Sequence, residues 1–298
     1  MSSESARNHI VVQVPASTSN LGSGFDTLGL AVNRYTRVEV RLSPKKDVEL
    51  DSSSPVRPDF RKLMDEAVGA FFKAAARESF GADIKLSSDV PIARGLGYSA
   101  TVRVGILAAL NELAQRPLKK QELLNVATRL EHHPDNASPS IYGGLTVSGM
   151  LNGEVRCMPF AVAQELKLVT LIPSFPISTE EARKLMPSSY SKADAAHGLN
   201  RAALITAAFA SGRFEMLRGL FDDRVHQPYR EKLIPQLTDV ITAGERAGAL
   251  GGFLSGSGSG IICVTTEKLE EVGAAMKRCM PDSEVIVLEI DNIGCKVL

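Results

Sequence analysis

Pro91-Ile-Ala-Arg-Gly-Leu-Gly-Tyr-Ser-Ala-Thr101 sets two glycines directly ahead of an unbroken apolar segment, TVRVGILAALNELA (Thr101–Ala114). The spacing of that segment predicts a strong helix. Glycine permits positive φ and close backbone approach, and a helix N-terminus carries free N–H groups and partial positive charge. The combination makes an anion cradle suited to phosphate, to which Ser99 and Thr101 can add hydroxyls. A tight loop that merely starts a helix is an equally open reading of these residues. The stretch is not a Walker loop, because it lacks the G-K-[ST] ending, and it is not a dinucleotide fingerprint.

Working outward, two further stretches share the small-residue character. Ala16-Ser-Thr-Ser-Asn-Leu-Gly-Ser-Gly-Phe-Asp26 sets Asn20 and Asp26 around two glycines. Asp26 would suit an ammonium group or a hydroxyl, although, taken alone, Asx-type turns explain the composition better. Leu254-Ser-Gly-Ser-Gly-Ser-Gly260 lies between two apolar runs and reads either as a hairpin turn or as exposed backbone N–H groups meeting a ligand. His132-His-Pro-Asp-Asn136 follows a helical stretch. Adjacent histidines cannot share one helix face, which argues against a zinc pair. His133, Asp135 and Asn136 can instead converge on a polar substrate, or form a capped turn. Arg183 and Arg230 would suit a carboxylate if folding brings them together.

The remaining patterns supply the frame. Strands are expected at His9–Val14, ended by Pro15, and at Thr36–Leu42, in ADIKLSSD, at Tyr142–Gly149, at 167–174, on both sides of the 254–260 turn and in EVIVLEI. Residues 45–58 read as a loop. Helices are expected at about 60–78, 101–114, 120–131, 179–186, 192–211, 213–222, 234–248 and 267–279. Strands and helices mix without strict alternation, so α+β fits better than a doubly wound sheet. A linker is placed near 151–165.

Composition narrows the partners. The 298 residues are 44% hydrophobic, ample for a large core, and chains beyond roughly 250 residues tend to split into two lobes. Basic and acidic residues balance at 34 each, so neither nucleic acid nor an anionic membrane is expected as a partner. No apolar run approaches the roughly 18 residues of a membrane span, and MSSESARNH lacks a signal-peptide core. The four scattered cysteines, Cys157, Cys263, Cys279 and Cys295, read as reduced thiols of a cytoplasmic protein.

Taken in order, these segments resemble the GHMP kinase superfamily, and within it the homoserine kinase family. VPASTSNLGSGFDTLGLAV (Val14–Val32) is similar to that family's opening, and PIARGLGYSA to the superfamily phosphate loop P-x-x-x-G-L-G-S-S-A. EHHPDNASPSIYGGLTV is similar to the segment built on E-G-H-P-D-N. STEEARKLMP, QPYREKLIP and GGFLSGSGSG complete six ordered matches. The resemblance implies a two-lobed α+β fold, residues 1–155 forming the N-terminal ATP-binding domain and 156–298 the C-terminal one. It implies ATP and Mg²⁺, phosphorylation of the L-homoserine side-chain hydroxyl on the route to threonine, and a homodimer. By carry-over, Pro91, Arg94, Gly95, Leu96, Gly97, Tyr98, Ser99, Ala100 and Thr101 hold the nucleotide. Asn20, Asp26, His133, Asp135 and Asn136 line the amino-acid site, with Arg183 and Arg230 on its carboxylate and Gly256 and Gly258 closing it. Asp26 is the carboxylate considered for proton removal.

Several positions depart from the pattern. Tyr98 stands where the first serine of the S-S pair is usual, His132 replaces a glycine, and Ser23 and Ser259 replace prolines. The magnesium glutamate aligns with Arg129, or, with a shifted gap, with Glu131, and Ser99 would join it on the metal. Two other readings therefore stand beside homoserine kinase: a homologue that binds without turnover, and a GHMP kinase for another hydroxylated molecule.

Overall fold

The structure, a computed structural model, describes residues 8–44, 47–50 and 58–298. In chain order the elements are β1 (His9–Ser19), β2 (Leu28–Leu42), β3 (Val48–Leu50), α1 (Pro58–Ala75), β4 (Ala82–Ser88), α2 (Tyr98–Leu113), α3 (Lys120–Glu131), α4 (Ala137–Tyr142), β5 (Leu145–Leu151), β6 (Glu154–Phe160) and β7 (Lys167–Ile172). They continue with α5 (Thr179–Lys184), α6 (Lys192–Ser211), α7 (Gln227–Arg230), α8 (Leu237–Arg246), β8 (Gly251–Leu254), β9 (Ile261–Thr265), α9 (Leu269–Cys279), β10 (Glu284–Leu288) and β11 (Lys296–Val297). The fold is α+β, with one sheet ordered β11-β1-β2-β4-β3 and a second ordered β10-β7-β9-β8.

The 15-residue β2 organises the first sheet. Its C-terminal half pairs with β4 from Thr36 to Leu42, while its start, Leu28–Leu30, pairs with β5. One strand thus serves two neighbours on the same edge. Helix α2 packs across β1 and β2, and α1 and α3 pack against α2. Ten of its sixteen residues are buried, because sheet and helices enclose most of its circumference. Val12, Val14, Val38, Val40, Ile106 and Leu110 form the centre of this core. Each such side chain contributes about 1.5–3 kcal/mol relative to exposure.

The second sheet is covered on both faces. Val169, Leu171, Ile261 and Cys263 meet α8 and α9. Leu168, Ile262 and Val264 join a cluster that includes Leu28 and Leu30 of the first sheet. This explains why β9 is buried at every position and reads as a continuous apolar run. No helix of the described residues is long and apolar enough to cross a membrane.

Several expectations are corrected here. Pro15 does not end β1: the strand continues to Ser19, absorbing the missing N–H by a register shift between Pro15 and Ala16. The segment assigned to a linker near 151–165 contains β6, which forms a hairpin with β5. Residues 213–222 hold only a short 3-10 turn, Phe214–Leu217. The strand expected from Tyr142 starts at Leu145, because α4 occupies 137–142. Within the expected 45–58 loop, Val48–Leu50 pairs in parallel with β4, while 45–46 and 51–57 lie outside the described residues.

Candidate active site

The three glycine-serine loops form one structure. Thr18 Oγ1 and Ser255 Oγ are 2.8 Å apart, and Ser255 Oγ donates to the Gly95 carbonyl at 2.7 Å. Ser17 Oγ donates to Asn136 Oδ1 at 3.0 Å, and Asn136 Nδ2 donates to Ser19 Oγ at 3.1 Å. Both loop glycines are sterically required. A Cβ on Gly95, at φ +73°, would lie 1.9 Å from the Ser255 carbonyl oxygen. One on Gly97, at φ +67°, would lie 2.4 Å from Ser17 Oγ and 2.8 Å from Asn136 Oδ1. Gly97 is also the residue that precedes α2. No side chain caps that first turn and no acid sits in it, so its N–H groups keep their affinity for an anion.

These loops bound a cavity of about 240 Å³. Ser19, Asn20, Phe25 and Asp26 line one part, Ile92, Ala93, Gly95–Ser99 and Leu63 a second, and Glu131, His133, Asp135 and Asn136 a third. Thr179, Arg183, Arg230, Gly256 and Ser257 complete it. Asn20 Oδ1 accepts from the Asp26 backbone N–H, while its Nδ2 donates to the Gly256 carbonyl at 3.1 Å. Arg183 donates to both oxygens of Asp26, at 2.6 and 3.2 Å. His133 Nδ1 is 2.6 Å from Asp135 Oδ1. Burial works against the charged imidazole, but the hydrogen bond and charge of Asp135 outweigh it and hold its pKa above the ordinary value.

Arg230 differs from Arg183. It is 2% exposed and makes no ion pair among the described residues. Its Nη1 donates to the Gly256 carbonyl at 2.8 Å and approaches His226 Nδ1 at 3.2 Å. Its Nε is buried without a partner. Burial first, and then the charge of Arg183, pull its pKa down to about 10, which leaves it cationic at neutral pH. Both guanidinium carbons lie over the Phe25 ring, 5.4 Å away for Arg183 and 5.3 Å for Arg230. The cation–π attraction offsets part of the repulsion between the two charges.

At the other end, Ser99 Oγ donates to Glu131 Oε2 at 2.8 Å. Arg103 bridges Glu131 and Glu66, at 2.5 Å to each. Burial opposes the charge of Arg103, but Glu131 and then Glu66 outweigh it and its pKa lies above the ordinary guanidinium value. Ser99 and Arg103 are one helical turn apart and share a face of α2.

The N- and C-terminal halves match two profiles, the GHMP kinases N terminal domain over residues 62–144 and the GHMP kinases C terminal domain over 205–282. The homoserine kinase of Caldicellulosiruptor bescii is 36% identical, covering 97% of this chain and 96% of the relative. This chain belongs to the homoserine kinase family of GHMP kinases. A crystal structure of homoserine kinase from Cytophaga hutchinsonii superposes with a TM-score of 0.89 at 27% identity, covering 100% of both chains. Mevalonate kinase from L. major shares the fold, with a TM-score of 0.73 at 18% identity over 95% of this chain and 96% of that one.

Against the homoserine kinase pattern, most carried-over residues converge on the cavity, but five do not line it. Thr101 is turned inward, with Oγ1 bonded to Thr36 Oγ1 at 2.6 Å and to the Tyr98 carbonyl at 2.8 Å, so its hydroxyl is spent in the core. Arg94 donates to the carbonyls of Ile92, Pro173 and Ser174 and braces the loop. Ala100 is buried, Pro91 starts the loop outside the cavity, and Gly258 packs near Ile177, Ile234 and Leu254. Glu131 lines the cavity beside Ser99, whereas Arg129 is exposed. Tyr98 lines the cavity and also packs against both neighbouring apolar clusters. Phe25, Arg103, Glu66 and His226 were not singled out from the sequence. Only the four-residue spacing of Ser99 and Arg103 could have drawn attention to one of them.

Proposed function

We propose that this protein transfers the terminal phosphoryl group of ATP to the side-chain hydroxyl of L-homoserine, giving O-phosphohomoserine. The observation that carries the substrate assignment is Arg230, a buried cation that lines the cavity and makes no ion pair among the described residues. Its Nη1 is used internally, so Nη2 remains for a charge-assisted hydrogen bond to a carboxylate. Arg183, held beside it by Asp26, adds a second charge. Asn20, Asp26, His133 and Asp135 supply polar partners for the ammonium and hydroxyl groups.

Phosphoryl transfer needs alignment and charge neutralisation more than covalent help. The N–H groups at the start of α2, within the Pro91–Thr101 stretch, stabilise negative charge on the phosphates. Asp26 is the carboxylate we assign to the hydroxyl proton, and its two contacts with Arg183 keep it oriented. Glu131 and Ser99 offer a carboxylate and a hydroxyl oxygen side by side, a hard donor set that fits Mg²⁺. When bound there, Mg²⁺ supplies neutralising charge to the polyphosphate. The same reading includes a homodimer in the cytoplasm. It also keeps residues 1–155 as the nucleotide-binding domain and 156–298 as the C-terminal one, a division in chain order that β6 spans.

The test is ADP release from purified protein with ATP, Mg²⁺ and homoserine. Arg230→Ala is expected to raise the homoserine KM by at least tenfold while leaving that for ATP within about twofold, the size of a lost charged hydrogen bond. Absence of homoserine-dependent ADP release across Mg²⁺ and Mn²⁺ would instead support a binding protein without turnover.

A further inference from the structure

His226 is fully buried directly behind Arg230, and its two ring nitrogens face groups of opposite and unalterable character. Nε2 lies 2.9 Å from the Gly22 carbonyl, which can only accept. Nδ1 lies 3.2 Å from Arg230 Nη1, which can only donate. The imidazole therefore satisfies both contacts in one form alone, neutral with its proton on Nε2. A second proton would set N–H against N–H. The neighbouring Asp223 is 3.6 Å from Nε2, but its carboxylate already accepts from Ser23 Oγ and the backbone N–H groups of Val225, His226 and Gln227. Phe25 stacks on the ring at 5.6 Å.

Building on the carboxylate reading above, we infer that His226 is a positioning residue for substrate recognition: its Nδ1 lone pair and the Gly256 carbonyl anchor Arg230 Nη1, leaving Nη2 of the guanidinium for the homoserine carboxylate. The fork is aimed before substrate arrives, so less side-chain freedom is lost on binding. Burial places His226 below its ordinary pKa, with the charge of Arg230 acting in the same sense and Asp223 opposing.

The experiment compares three replacements by steady-state kinetics. His226→Asn keeps an acceptor at the δ position, His226→Gln moves the amide to the ε position, and His226→Leu keeps neither. The Leu and Gln variants are expected to raise the homoserine KM about tenfold with the ATP KM within about twofold, while Asn stays within about threefold of wild type. In an Arg230→Ala background, His226→Leu is expected to add nothing further. The inference is overturned by equal KM values for Asn and Gln, or by a multiplicative effect of His226→Leu on top of Arg230→Ala. Should the Leu variant not fold, the Asn–Gln comparison alone decides. Nitrogen NMR of the ligand-free protein is expected to show the neutral Nε2–H tautomer, and the Nδ1–H tautomer would overturn the inference without any substrate. Failure of the wild type to use homoserine is a separate outcome that removes the underlying functional reading.

Discussion

Replacing Arg103 by methionine removes the cation shared by Glu131 and Glu66. The Arg103 side chain is 12% exposed and that of Glu131 6%, so their contact is a buried ion pair. Removing one partner of such a pair costs about 3–5 kcal/mol, because the other charge is left uncompensated. Glu66 is 35% exposed and keeps Lys62 at 3.9 Å, so its share is at most about 1 kcal/mol. The expected destabilisation is therefore about 3 kcal/mol, with methionine replacing the aliphatic stem. For 298 residues at about 2.1 cal/mol/K each, the unfolding entropy is about 0.6 kcal/mol/K, and Tm falls by about 5 °C. Arg103→Met combined with Glu131→Gln is expected to recover most of that loss, since no buried charge remains. Differential scanning calorimetry and urea titration measure both. A single variant within 1 °C of wild type (about the resolution such scans need), or a double variant no more stable than the single, would refute the assignment of a buried, interdependent pair.

Three further outcomes follow from the same geometry. Gly97→Ala combines left-handed backbone strain of about 1–2 kcal/mol with collisions against Ser17 and Asn136, and is expected to lower the urea midpoint and raise the ATP KM together; an unchanged midpoint would contradict the tight loop packing. His133 has a raised pKa, so its pairing with Asp135 stabilises the fold fully below about pH 6.5, and this contribution is lost as pH rises through the folded value. Asp135→Asn is expected to flatten that pH dependence of the urea midpoint and move the His133 NMR titration downward. Phe209, 1% exposed against Phe214, is expected to cost about 3–5 kcal/mol when cut to alanine, read from the same urea curves.

The close approach of the glycine-serine loops was legible because its chemistry is local: glycine marks where backbone must come close, as Gly95 does against Ser255. The long apolar helix α2 was legible for the same reason. What stayed hidden depends on partners distant in the chain. β6 alternates too weakly to announce a strand and is held by pairing with β5. The two residues of β11 exist as a strand only because β1 offers an edge. Pro15 reads as a terminator until the register shift that accommodates it is seen. Thr101 looked like a phosphate ligand because helix phase relative to the cavity cannot be read from a loop whose exit angle is unknown. Arg103 and His226 acquire meaning only from Glu66, Glu131 and Gly22, residues 37, 28 and 204 positions away.

The β8–β9 turn is stitched to the Pro91–Thr101 loop at both ends, Ser255 Oγ to Gly95 and the Gly260 N–H to the Arg94 carbonyl, with Gly256 N–H reaching Ser19 on the other side. A hinge between the two sheets would have to tear these bonds and with them the cradle itself. The rim carrying Thr179 and Arg183 on the short α5 is tied down as well, by the Asp26 contact, by the fully buried Ala182 and by the Ile177 N–H on the Ala93 carbonyl, so the chamber is braced on every side that these loops supply.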